Sequence, residues 1–319
     1  MVPASSPSRA PRSGEADRRA VARGREGRPR IAICFFGITR SLRFTIDSIR
    51  TKVLTPARRA GETRVFAHLY PITEINNPRS SEATHLDPDE YRMLGADHIM
   101  LEEPGRCLDQ WNFPRIAAHG DTWRDDFRSV RNLVHQLHSL REVTLAALDW
   151  QPDVVVFCRP DLHYFDSFSG ALSRYARAGK PQCGIPYWQG WGGLNDRFAI
   201  VRGASAARLY GARIEHALGY CEVHSRPLHG ELLLAWRLRT ADVKPVWIRA
   251  ARIRADGRVP PQEHFCPERI LRLRHRLRNS KLPKLGKGIG VGILRFAQVT
   301  VDLLAYGSAR DPLRAFPRH

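Results

Sequence analysis

Apolar positions along this chain form two kinds of pattern. Val154–Cys158 (VVVFC) is a short unbroken run, rich in β-branched residues, with Pro152 before it and Pro160 after it. A run too short for a helix and closed by breakers predicts a strand buried on both faces. Arg30–Gly37 (RIAICFFG), Arg64–Tyr70, His98–Leu101, Gly184–Tyr187, Asp196–Val201 and Val243–Ile248 also predict strands. Other segments repeat their apolar residues at helical spacing. Arg43–Leu54 does so through Phe44, Ile46, Ile49 and Val53, and Asp125–Trp150 carries a wide stripe from Val130 to Leu148. Further helices are expected over Asp89–Leu94, Ala171–Lys180, Ala204–Tyr220 and Leu228–Leu238. Pro71–Pro88 is polar and predicts a loop, and Glu103–Phe113, with Pro104 and Gly105, predicts irregular chain. Alternating strands and helices imply an α/β sandwich with a mostly parallel sheet.

Charge changes this picture at the two ends. The 319 residues carry a formal net charge of +19. Met1–Arg30 holds eight Arg against three acids, and Glu268–His319 holds twelve Lys or Arg against three acids. These are net charges of +5 and +9, which leave +5 for the middle. Residues 1–29 have almost nothing to bury and read as a disordered basic tail. Residues 30–267 read as the folded domain. In 268–319 basic residues interleave with leucines, and then Gly288–Tyr306 is mostly apolar but broken by Arg295 and Asp302. That mixture suits an anionic membrane surface, contacted through 268–306, better than a spanning helix. Nucleic acid is the competing partner for so basic a chain. The charge sits in the tails, and no helix-turn-helix, zinc-finger or RNP signature is present, which argues against it. The six cysteines are dispersed without a CxxC pair, and the first residues lack the apolar core of a secretion signal. A cytoplasmic protein, resting at most on the inner face of a membrane, is expected.

Candidate chemistry gathers behind the predicted strand at Val154. Arg159, Asp161, His163 and Asp166 follow its end, where ligands sit in open α/β sheets. After the first strand come Gly37, Thr39 and Arg40. These lack a GxGxxG or GxxxxGK[ST] signature and are either anion contacts or a solvated loop. Gln136 lies on the long helix, where a surface role is the plainer reading. Trp188–Arg197 is aromatic and glycine-rich. Trp188, Trp191, Gly192, Asn195 and Arg197 would offer flat faces and close backbone approach to a ligand, or else form a packed loop. Asp196 and Glu231 are the candidate bases, and Glu231 near a helix start is equally explained by the helix dipole. His224, His229 and His264 are further candidate metal ligands.

Taken in order, F-F-G-I-T-R, V-V-V-F-C-R-P-D-L, N-D-R-F-A-I and H-G-E-L-L-L resemble bacterial polysaccharide- and lipopolysaccharide-associated glycosyltransferases of the GT-A fold. The resemblance covers roughly residues 30–250 and implies a GT-A-like, Rossmann-like three-layer sandwich. It implies sugar transfer from a nucleotide-sugar donor to a surface-glycan or lipid-linked acceptor. Gly37, Thr39, Arg40, Arg159 and Asp161 would then hold the donor, and Trp188, Trp191, Gly192, Asn195 and Arg197 would form the acceptor or sugar wall. Such enzymes generally use a DxD motif to hold a divalent cation. Here the matching place reads Asp161-Leu162-His163, which implies Mn²⁺ or Mg²⁺ on Asp161 and His163 while departing from two carboxylates. A silent GT-A-like scaffold in a glycan-synthesis complex is the alternative that this departure leaves open.

Overall fold

A computed structural model describes residues 27–77, 81–261 and 263–266. The expected tails, apart from 27–29, lie outside the described residues. The strands are β1 (Arg30–Gly37), β2 (Glu62–Leu69), β3 (Glu74–Asn77), β4 (Glu82–His85), β5 (His98–Leu101) and β6 (Val154–Cys158). They continue as β7 (Leu162–Tyr164), β8 (Gln182–Pro186), β9 (Ala199–Arg202), β10 (Val243–Val246) and β11 (Ala250–Arg252). Helices α1 (Leu42–Ser48) and α2 (Thr55–Ala60) are joined by a π-helical segment, Ile49–Leu54. Next come α3 (Arg106–Gln110), α4 (Phe113–Ala117), α5 (Arg128–Asp149), α6 (Ser169–Arg177), α7 (Ala204–Gly211), α8 (Ala217–His224) and α9 (Gly230–Arg237).

Seven strands build the central sheet in the order β10-β8-β9-β6-β1-β2-β5. All neighbours run parallel except β9, which is antiparallel to both β6 and β8. Alternation along β1 makes three layers. Ile31, Ile33 and Phe35 pack with α1, the π segment and α6. Ala32, Cys34 and Phe36 pack with α5 and α7. Every residue of β6 is buried, as its unbroken apolar run requires. A third apolar cluster joins α5 to α4, α8 and α9. Among the described residues no helix is long and apolar enough to cross a membrane.

Several local expectations are corrected. The polar segment Pro71–Pro88 contains the hairpin β3–β4, whose ladder pairs Glu74 with His85. It has no apolar alternation because most of it faces solvent. The helix expected over Ala204–Tyr220 breaks after Gly211, where a side chain at 211 would collide with Thr144 of α5. Glu103–Phe113 contains α3. The chain beyond β10 adds β11, which pairs antiparallel with β7.

Candidate active site

The strand order reverses at β1. From β1 the chain builds β2 on one side, and it returns later to place β6 on the other. At such a switch point the loops leaving the two strands diverge and open a crevice. Here those loops are Gly37–Ser41 and Arg159–Asp161, because Cys34 and Phe35 pair with Phe157 and Cys158. Gly37 ends β1 at φ +100°, a conformation that a side chain would strain, and its N–H donates to Ser139 Oγ at 2.8 Å. The backbone N–H groups of Leu42 and Arg43 at the start of α1 both donate to the Glu90 carboxylate. That fixes the turn carrying Thr39 and Arg40.

Asp161 is the centre of a buried charge cluster. Arg159 Nε and Nη2 donate to its two carboxylate oxygens at 2.9 and 2.8 Å, and Arg40 Nη2 donates to Oδ2 at 2.7 Å. Burial pushes the carboxyl up, but Arg159 and then Arg40 outweigh it and hold the group well below the usual carboxylate range. Arg40 and Arg254 both reach Glu82 of the hairpin. In the other direction Arg159 Nη1 donates to Gln136 Oε1 at 2.7 Å, and Gln136 Nε2 lies 3.5 Å from Asp196 Oδ2. Gln136 therefore bridges two candidate site residues and is not a surface side chain.

Asp196 abuts the start of α9. A Cβ at Gly230 would stand 2.9 Å from Asp196 Oδ2. The next residue is Glu231, whose carboxyl is pushed up to about 8 by burial and then by the Asp196 charge. His229 Nδ1 lies 3.2 Å from Glu231 Oε2. Burial, with Arg226, lowers that imidazole's pKa and favours its neutral form. Arg252 of β11 completes the group. Burial, Arg197 and Arg159 all disfavour its charge, against the opposing pull of Glu263, whose Oε1 is 3.9 Å from Nε. The locality thus carries more guanidinium than carboxylate can neutralise. Side chains of Arg159, Arg252 and Glu231 remain 17%, 28% and 21% accessible in these desolvated surroundings.

The glycine-rich loop departs from its expected role. Trp188 is fully buried, donates from Nε1 to the Ile248 carbonyl at 2.9 Å, and lies under Arg197. Arg197 is itself buried and bound to Glu263. Neither can line a sugar. Asn195, also buried, donates to the Trp188 carbonyl and accepts from the Arg197 N–H, so it locks the loop. Trp191 is 48% exposed, and Gly192 beside it is also exposed.

The expected metal pair does not form a cation site as placed. Both Asp161 oxygens already accept guanidinium N–H groups, and His163 packs on Phe165 with ring centroids 5.0 Å apart. A carboxylate so neutralised offers a cation little. His224 sits against Tyr220 and Trp236, outside the crevice, and His264 lies beside Trp191. The sequence reading missed Arg252, Arg254, Glu82 and Glu263. Only the alternation in Ala251–Ala255 (A-R-I-R-A) could have signalled a strand carrying Arg252.

No family model matches the sequence, and no curated protein matches it. Among solved structures, the chain is similar to mouse xyloside xylosyltransferase 1 in its apo form. Identity is 8%, coverage is 67% of this chain and 84% of that one, and the TM-score is 0.38. It is also similar to an active-site mutant of LgtC, at 11% identity, 67% and 72% coverage and a TM-score of 0.38.

Proposed function

We propose that this protein is a GT-A-like glycosyltransferase that moves a sugar from a nucleotide-sugar donor to a surface-glycan or lipid-linked acceptor. The observation that carries this reading is the juxtaposition of a buried arginine cluster, in which burial and Arg197 disfavour the charge on Arg252, with a carboxyl group of raised pKa. Sugar transfer forms a bond from the acceptor oxygen to the anomeric carbon. It breaks the bond from that carbon to the diphosphate, which leaves with the electron pair. Fixed positive groups stabilise the charge that develops there. Arg159 and Arg252 are the accessible candidates, with Arg40 and Asp161 holding Arg159 in place. The acceptor hydroxyl must also lose its proton. Glu231, with Asp196 beside it, is the candidate base, since a base titrating near the working pH is effective.

A divalent ion at Asp161 and His163 has no part in this reading, because arginines already occupy that carboxylate. Trp191 and Gly192 are the remaining candidates for the sugar wall. The basic segment 268–306 would hold the enzyme at an anionic lipid surface, which liposome flotation at low salt tests separately.

Thermal denaturation with a panel of nucleotide sugars tests the site. A ligand that binds only the native state at about 100 times its Kd adds about 2.7 kcal/mol of stability. The expected result is a raised Tm with at least one donor and loss of that rise in Arg159→Ala. If no donor moves the wild-type Tm and none is hydrolysed, the proposal fails. Binding without turnover would select the silent-scaffold alternative.

A further inference from the structure

We propose that His68, Glu102 and His138 form a binding site for a divalent transition metal, with zinc the ion their donors suit best. This site is separate from the crevice and does not depend on the transfer reading. His68 is the penultimate residue of β2, and Glu102 follows β5 directly, its N–H donating to the Leu69 carbonyl at 3.1 Å. His138 projects from the middle of α5. Three separate elements thus converge on one point. His68 Nε2 lies 3.2 Å and His138 Nε2 lies 2.9 Å from the same oxygen, Glu102 Oε2. The three ligand atoms all fall within 4.8 Å of one another. Among the described residues this is the group of three His, Cys, Asp or Glu side chains with metal-ligand spacing.

The dimensions suit zinc. Nitrogen and oxygen ligands at about 2.0–2.1 Å from Zn²⁺ stand roughly 3.3 Å apart in a tetrahedron. The two nitrogen–oxygen separations, 3.2 and 2.9 Å, lie within a few tenths of an ångström of that spacing. Two imidazoles and one carboxylate are the borderline donor set that zinc prefers over magnesium or calcium. The two histidines are 3% and 4% exposed, so their rings are held by packing. Their planes meet at 90°. Glu102 opens onto a cavity of about 520 Å³, also lined by Arg106, Cys107, Gln110 and Glu142. A fourth, exchangeable position would face that cavity.

Hydrogen bonding around the rings says what loading must change. Trp111 Nε1–H donates to His138 Nδ1 at 3.0 Å. An indole N–H can only donate, so without metal Nδ1 is the bare nitrogen and Nε2 carries the proton. A metal on Nε2 moves that proton to Nδ1, where it opposes the indole N–H. The Trp111 bond must then break. Glu142 Oε1, 3.8 Å from Nδ1, is placed to accept the relocated proton's hydrogen bond. His68 Nδ1 is buried with no hydrogen-bond partner among the described residues, so Glu102 makes the ring's one side-chain hydrogen bond there, and a metal could take its place.

The test uses the full chain without an affinity tag, stripped with chelator and titrated with zinc chloride. One site is expected, with a change in tryptophan emission and a raised Tm on saturation. His138→Gln and Glu102→Gln should each weaken binding by at least about tenfold. Trp111→Phe should bind zinc as tightly as wild type or more tightly, because it removes the opposing donor. A merely structural hydrogen-bond cluster would not produce that result. Should the ligand variants fail to fold, cobalt substitution in the wild type decides, with intense visible bands expected for a tetrahedral site. No cobalt bands and no zinc-dependent change in emission, or zinc binding undiminished in folded ligand variants, would overturn the proposal.

Discussion

Glu231 shows how one side chain acquires a property that its residue type lacks. Little water surrounds it, and the Asp196 carboxylate lies close by, so both effects oppose its ionisation. An acid whose pKa rises on folding keeps its proton in the native state after the unfolded chain has lost it. Its contribution to stability is complete below roughly pH 4.3, the unfolded value. It declines as pH rises and is lost once pH passes the folded value of about 8. Asp161 works in the opposite sense. Its depressed carboxyl contributes stability above the unfolded value, which is lost as pH falls towards the folded one. The two windows adjoin and can be read separately. Replacing Glu231 by Gln should therefore flatten the fall in Tm between about pH 5 and 8. Tm profiles of wild type and variant that run parallel across that range would contradict the assignment. If Glu231 is the base, the same variant should also lose about 10²–10⁴-fold of the transfer rate.

At the scale of elements, the site depends on a loop docked against the start of a helix. Leu194 N–H donates to the Glu231 carbonyl at 3.0 Å, and a Cβ at Gly193 would collide with that carbonyl. Backbone thus meets backbone where no side chain fits. Gln189, Trp191 and Gly192 all have positive φ, which bends the loop over the first turn of α9. Gly193→Ala should push the loop off α9 at a cost of about 1–3 kcal/mol, the usual scale of overpacking. Chemical denaturation measures that cost. The same variant should lose transfer activity beyond what the stability loss explains, because Asp196 at the loop's end would shift relative to Glu231 on α9. Unchanged stability and activity would show that the loop has room to spare.

At the scale of the molecule, the chain after β11 secures the sheet's carboxyl edge. Glu263 is buried and binds Arg197 through both oxygens, with Arg252 3.9 Å away. Arg197 in turn covers Trp188, and Phe265 meets Trp188 edge-on at 5.2 Å. The segment 263–266 therefore fastens the glycine-rich loop to the core. Removing one partner of a buried pair leaves the other charge uncompensated, so Glu263→Ala should destabilise by about 3–5 kcal/mol. Replacing both Arg197 and Glu263 by apolar residues should cost less than the single change. Urea denaturation of the two variants beside the wild type checks both statements. If Glu263→Ala costs no more than a surface substitution, the segment does not fasten the fold.

The sequence alone determined the layers. An apolar run between prolines can only be satisfied as a strand covered on both faces, and β6 is such a strand. The unbroken apolar run of β1 likewise requires cover on both faces, and helical spacing marks α5 as an element with one face to bury. The sequence also placed Arg159 and Asp161 at a strand's end, because the end of a run is a local property. Only the tertiary structure decided what those residues meet. Arg40, Gln136, Asp196, Glu231 and Arg252 are far apart in the chain. Whether a carboxylate faces a cation or another carboxylate depends on strand order, which no local pattern encodes. The same reason separates Trp188 from Trp191. Both belong to one aromatic loop, but the chain past Ile248 buries the first and leaves the second exposed. Convergence of His68, Glu102 and His138 likewise follows from pairing β2 with β5 beneath α5, and nothing in the spacing of those three residues announces it.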